Sequence, residues 1–154
     1  MIPPEKYILL AEDDSVVAEL ILHTLANHTP APRVVHVKNG VEALDFLYAR
    51  RQDAGRPGGQ PCVALLDLKM PLVDGLEVLR QVKGDAHLKA MPVVMLTSSQ
   101  DDGDVSRCYQ AGANAYVVKP VEFRRFAVVL QQLELFWVGI NHPPPDARPG
   151  VAMP

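Results

Sequence analysis

Five short, nearly continuous apolar runs alternate with five stretches in which apolar residues recur every three or four positions. This alternation restricts the possible folds more than any other feature of the chain. The runs are Tyr7–Leu10, Val34–Val37, Cys62–Leu66, Pro92–Leu96 and Ala115–Val118. Short runs without polar alternation suit strands buried on both faces, as in a parallel sheet. Between them, Val16, Val17, Leu20, Ile21 and Leu25 fall at helical spacing, as do Val41, Leu44, Leu47 and Tyr48, and then Leu76, Leu79 and Val82. A fourth helix is expected from about Asp101 to Ala111, stopped by Gly112. The last carries Phe126, Val129, Leu130, Leu133, Phe136 and Trp137. Asp14 is placed to cap the first helix, and Asn39-Gly40 reads as a turn. Strictly alternating strands and helices give an open parallel sheet covered by helices on both faces.

The polar residues that close these runs carry the chemistry. Glu12 and Asp13 follow the first run, Asp67 the third, Thr97 the fourth, and Lys119-Pro120 the fifth. They lie far apart in sequence, yet a parallel sheet brings all strand ends to one edge, where ligands of open α/β sheets bind. Each residue alone has an ordinary reading: Asp67 as a turn residue, Glu12-Asp13-Asp14 as a capping cluster, Lys119 as a solvated lysine. Their joint placement favours a common site. Two unit charges 4 Å apart repel by roughly 4 kcal/mol at an effective dielectric near 20. Three gathered carboxylates therefore call for a cation, and a few hard oxygen ligands suit Mg²⁺. Such a site would accept a phosphoryl group, with Asp67 as nucleophile, Lys119 as fixed positive charge and Thr97 as hydroxyl donor.

Composition narrows the function classes. At 154 residues the chain is long enough for one domain with a core, and 48% hydrophobic residues argue against general disorder. A net charge of −3 argues against nucleic-acid or anionic-membrane binding. No apolar run approaches the ~20 residues of a membrane span, and Met1–Lys6 lacks a signal peptide's apolar stretch. A cytoplasmic protein is expected, with Cys62 and Cys108 as packed, reduced thiols. The five histidines are scattered without metal-site spacing, and Arg50 to Pro61 is an aperiodic loop. Residues 1–140 are taken as one domain and 141–154 as a Pro-rich tail.

Asp67-Leu68-Lys69-Met70-Pro71, Asp74-Gly75 and Gly112-Ala113-Asn114-Ala115-Tyr116-Val117-Val118-Lys119-Pro120 resemble the signature segments of two-component response-regulator receiver domains, chemotaxis receivers included. The resemblance implies a flavodoxin-like (βα)5 fold with strand order 2-1-3-4-5. It implies Asp67 as the phosphorylated residue, Thr97 as switch hydroxyl, Tyr116 as switch aromatic and Lys119 as the phosphate-pairing lysine. It also implies Mg²⁺ bound by Asp13, Asp67 and the Lys69 carbonyl, with Glu12 acting through water, and a histidine kinase as phosphoryl donor. Lys69 and Ser99 occupy positions that tune phosphoryl lifetime in the family. The loop before the third strand and Leu135-Phe136-Trp137-Val138 with its Pro-rich tail further resemble the small receivers paired with phytochrome-type kinases. That implies a homodimer through the last strand and helix. Phe136 and Trp137 fit either that contact or core packing.

Other functions fit less well. An aspartate-nucleophile phosphatase would place a second Asp two residues after the nucleophile, where this chain has Lys69. A flavin-binding protein would need a phosphate-cradling loop after the first strand, where Glu12-Asp13-Asp14 would repel a phosphate. An inert module of receiver shape would not need the complete residue set.

Overall fold

The computed structural model describes residues 6–28, 30–50 and 59–144. Strands β1 (Tyr7–Ala11), β2 (Arg33–Val37), β3 (Val63–Leu66), β4 (Val93–Thr97) and β5 (Ala115–Val118) form one sheet in the order β2-β1-β3-β4-β5. Every neighbouring pair is parallel. The apolar runs became strands because both faces are covered: every residue of β1, β3 and β4 is buried.

Five helices follow: α1 (Ser15–Ala26), α2 (Gly40–Arg50), α3 (Gly75–Gly84), α4 (Asp102–Gln110) and α5 (Phe123–Glu134). On one face Ile21 and Leu25 of α1 and Phe126 and Leu130 of α5 pack on Ile8, Leu10, Leu65 and Val94. On the other, Ala43, Leu44 and Leu47 of α2, Val78, Leu79 and Val82 of α3 and Cys108 of α4 pack on Leu9, Leu66, Val93 and Met95. Both cysteines are free and buried. Among the described residues no helix is long and apolar enough to cross a membrane.

Caps fix where the helices begin. Asp14 accepts from the Val16 and Val17 amides, Asp74 from Glu77, and Asp101 from Asp104. Asn39-Gly40 is a helix start rather than a free turn. Asn39 Oδ1 accepts from the Glu42 amide at 2.8 Å, and Glu42 returns a carboxylate to the Lys38 amide at 3.0 Å. The pairing resembles a capping box displaced by one residue.

The chain does not leave α5 as a plain helix end. Leu135–Ile140 widens into a π-helical turn, closed by the Asn141 amide on the Phe136 carbonyl at 2.5 Å. His28 Nδ1, 3.0 Å from Glu134 Oε2, fastens the end of α1 to this junction. Trp137 packs against the α1/α5 core, whereas Phe136 is exposed and meets the Trp137 ring edge-on at 4.9 Å. Most of the Arg50–Pro61 loop and of the 141–154 tail lies outside the described residues.

Candidate functional site

Parallel pairing sets Ala11 beside Leu66 and Thr97 beside Val118, so the residues that follow these strands meet at one edge. β1 lies between β2 and β3, so the chain reverses its direction of travel across the sheet there, and a crevice opens beyond the strand ends. Glu12, Asp13 and Asp67 flank that crevice, and Lys119 reaches into it from the end of β5.

One carboxylate oxygen from each of Glu12, Asp13 and Asp67 lies within 4.8 Å of the others. Lys119 Nζ donates to Glu12 Oε1 at 2.5 Å and to Asp67 Oδ2 at 3.1 Å. The ammonium thus spans two of the three carboxylates. Glu12 is almost wholly buried, Asp67 partly so, and Asp13 is exposed. Burial raises the Glu12 carboxyl to about 7, partly offset by its bond to Lys119, with the Asp67 charge adding to the rise. Lys119 is held above the ordinary lysine value: burial pulls it down, but its bond to Glu12 and the Asp67 charge outweigh that.

The Glu12 shift has a sign that can be measured. Its stabilising contribution is fully present below the ordinary value of 4.5 and is lost as pH rises through about 7. Without divalent cation, unfolding free energy is expected to fall by on the order of 2 kcal/mol from this group between about pH 5 and pH 8. Urea melts of Glu12→Gln should lack that component of the slope.

The carboxylate trio fits a small divalent cation. Two oxygens bound to one Mg²⁺ at about 2.0–2.1 Å can be at most about 4.2 Å apart. Slight contraction of the trio reaches that limit, and an all-oxygen donor set suits Mg²⁺ or Mn²⁺.

A cavity of about 310 Å³ adjoins the carboxylates, lined by Asp67, Lys69, Thr97, Ser98 and Ser99. Thr97 is buried at the end of β4, and its Oγ1 accepts from the Ser99 amide at 3.3 Å. Lys69 is exposed on the rim. Tyr116 points inward, packs beside the core and donates its hydroxyl to the Ser99 carbonyl at 3.0 Å. Glu12, Asp13, Asp67, Lys69, Thr97, Ser99, Tyr116 and Lys119 therefore gather at this edge, whereas Phe136 and Trp137 lie on the turn after α5.

Residues 8–131 match the response regulator receiver domain. The chain belongs to this family. It is 37% identical over 140 residues to a probable methanogenesis regulatory protein, FilR2, of Methanothrix harundinacea, covering 91% of this chain and 88% of the relative. It is 33% identical over 135 residues to the response regulator Rcp1 of Synechocystis, covering 88% and 90%. Among solved structures, the phosphorylated cyanobacterial phytochrome response regulator RcpA superposes with a TM-score of 0.81 at 34% identity, covering 91% of this chain and 99% of that one. The Mn²⁺-bound form of Rcp1 gives 0.80 at 33% identity, covering 90% and 99%. The bacteriophytochrome response regulator AtBRR is 51% identical with a TM-score of 0.67, covering 88% and 96%. The chain is thus a receiver related to phytochrome response regulators.

Two partners escaped the sequence. Lys119 is joined to Glu12 as well as to Asp67, although nothing in the spacing of 107 residues pairs them. Ser99, read as a small neutral residue, bonds through Oγ to Asp104 Oδ2 at 2.6 Å. A Ser and an Asp flanking the N-cap Asp101 were the available signal for the second.

Proposed function

We propose that this receiver takes a phosphoryl group on Asp67 from a histidine kinase in a Mg²⁺-dependent step. The observation that carries the reading is the Lys119 bridge between Asp67 and Glu12 beside Asp13. It sets a nucleophilic oxygen, a fixed cation and spare acidic ligands at one solvent-facing edge. An Asp67 oxygen attacks phosphorus as the bond from phosphorus to the donor nitrogen breaks. The donor imidazole keeps that electron pair and takes a proton. Lys119 and the Thr97 hydroxyl then stabilise the phosphoryl oxygens on Asp67.

Asp13, Asp67 and the Lys69 carbonyl would hold the ion, with Glu12 acting through water. Bound Mg²⁺ would neutralise and orient the incoming group. Tyr116, inward in this structure, is the aromatic whose position reports on Thr97. The AtBRR and RcpA relationships support a phytochrome-type kinase as donor. Exposed Leu135, Phe136 and Ile140 on the π-helical turn support a homodimer through this end of the chain. We assign residues 1–140 to the receiver and 141–154 to a tail.

Incubation with acetyl phosphate and Mg²⁺ is expected to add one phosphoryl group, seen by intact-protein mass spectrometry, and a chelator added beforehand should prevent that addition. Asp67→Asn should abolish it, because an amide is not a competent nucleophile at neutral pH. Undiminished labelling of that variant would remove Asp67 as the acceptor.

A further inference from the structure

Glu12 and Asp13 share one peptide group, and β2 holds it. The Glu12 carbonyl accepts from His36 Nε2 at 2.8 Å. A carbonyl oxygen can only accept, so the ring nitrogen facing it carries the proton. The Glu12 amide donates to the Val37 carbonyl at 3.1 Å. Glu12 is thus tied on both sides of its Cα by two neighbouring residues of one strand.

The His36 ring does what backbone would do in a longer strand. β2 ends at Val37, and the Lys38 amide is taken by the Glu42 carboxylate at 3.0 Å as the chain turns into α2. A parallel ladder continued into residues 38 and 39 would have given the Glu12 carbonyl a backbone donor. His36, half-buried on the edge strand, supplies that donor from its side chain.

The consequence falls on Asp13. Its carboxylate is exposed and makes no hydrogen bond among the described residues, so the backbone on either side sets its direction. On the far side Asp14 is fixed: its carboxylate caps α1 through the Val16 and Val17 amides, and its own amide donates to Glu12 Oε2 at 3.2 Å. On the near side the peptide leading into Asp13 is gripped at its carbonyl by His36. A ligand held in place beforehand loses less freedom when it binds, and outer hydrogen bonds of this kind commonly orient the groups that hold an ion.

We propose that His36 is a positioning residue: its ring fixes the Glu12–Asp13 peptide and so presents the Asp13 carboxylate to a divalent cation beside Asp67. The inference rests on the metal reading above and adds to it a residue that touches neither the ion nor the phosphoryl group. It also gives a place to one of the histidines whose spacing shows no metal site.

The test compares His36→Phe, His36→Val and His36→Gln with the unaltered protein. Phenylalanine keeps a planar ring and loses the donor. Valine suits a strand, also lacks the donor, and covers the case in which the Phe variant folds poorly. Glutamine can place an amide donor near the position of Nε2. The first readout is Mn²⁺ affinity at one fixed pH, followed by the electron paramagnetic resonance signal of the free ion. The second is the NMR signal of the Asp13 amide in metal-free protein, because that nitrogen belongs to the peptide whose carbonyl His36 holds. The Phe and Val variants are expected to bind Mn²⁺ about tenfold more weakly, the low end of what loss of an outer partner costs, and to shift the Asp13 signal. The Gln variant should restore most of both.

A merely structural role would lower the urea midpoint and leave Mn²⁺ affinity and the Asp13 signal unchanged. Unchanged Mn²⁺ affinity in the Phe and Val variants, an unmoved Asp13 signal, or a Gln variant as weak as the Phe variant would overturn the proposal. Failure of the unaltered protein to bind Mn²⁺ would count against the metal reading alone. The Asp13 signal of the metal-free variants would still decide whether His36 holds that peptide.

Discussion

Lys119→Met is expected to destabilise the metal-free protein by about 2–4 kcal/mol near pH 8 and by clearly less near pH 5. The side chain makes two ion pairs, with Glu12 at 2.5 Å and with Asp67 at 3.1 Å, and is itself mostly buried. Methionine keeps much of the stem's volume, so the loss is one of charge rather than packing. What remains is a buried Glu12 beside Asp67 with no cation. Removing one partner of a buried pair leaves the other uncompensated, which is costlier than the pair was stabilising. Asp67 is partly exposed, so water recovers some of that cost and the upper end of the usual range is not reached.

The pH dependence follows from Glu12. Its carboxyl already stands at about 7 with the lysine present, and without it the value rises further. Below that value Glu12 takes up a proton and the penalty shrinks; above it the penalty is felt in full. Urea melts at the two pH values give the comparison directly. Added Mg²⁺ should return part of the lost stability, because the ion supplies the missing positive charge. Phosphorylation should not recover with it. On the proposed reading the fixed ammonium is one of the charges aimed at the developing phosphoryl oxygens, and loss of such a group costs about 10²–10³ in rate. An equal loss of stability at both pH values would show that Glu12 is not what Lys119 neutralises.

Much of this was legible in the sequence because the strands advertise themselves. Tyr7-Ile8-Leu9-Leu10 and Val63-Ala64-Leu65-Leu66 have no polar alternation, and only a sheet covered on both faces tolerates that. Once the strands are parallel, the residue after each one is at the common edge. Glu12, Asp67, Thr97 and Lys119 could therefore be placed together without coordinates.

What stayed hidden depends on contacts between elements. Asn39-Gly40 carries a turn signal, but a Cβ at Gly40 would lie 2.0 Å from the Val73 carbonyl oxygen, and that neighbour comes from a distant loop. The widened turn at Leu135–Ile140 continues the apolar pattern of α5, so periodicity alone gives no reason to end the helix. Leu72, with φ of 71° and 80% exposure, is a further local conflict that composition does not announce. Ser99 looked neutral because its partners sit five residues ahead on a helix and seventeen ahead on another strand.

Gly75→Ala should be among the most damaging single substitutions in the chain, at about 3–5 kcal/mol. A Cβ there would meet the Asp67 carbonyl oxygen at 2.1 Å and Leu68 Cα at 3.0 Å, both backbone atoms that cannot rotate aside. The Gly75 amide also donates to the Leu68 carbonyl at 2.7 Å, so the start of α3 is pinned against the very segment it would have to leave. Relief requires moving the β3–α3 loop, and with it the backbone of Asp67, the proposed acceptor. Phosphorylation by acetyl phosphate is therefore expected to fall even in the fraction that remains folded. Gly84, the last residue of α3, is the control: a Cβ there meets nothing within 4 Å. Gly84→Ala is expected to be neutral or to stabilise by a few tenths of a kcal/mol, up to about 1 kcal/mol, because alanine loses less conformational freedom on folding. The two substitutions are chemically identical and lie in one helix, so their difference in urea midpoint measures the close approach of α3 to Asp67. Similar midpoints would mean that the loop can yield without cost, and that the Asp67 backbone is not held as tightly as this geometry requires.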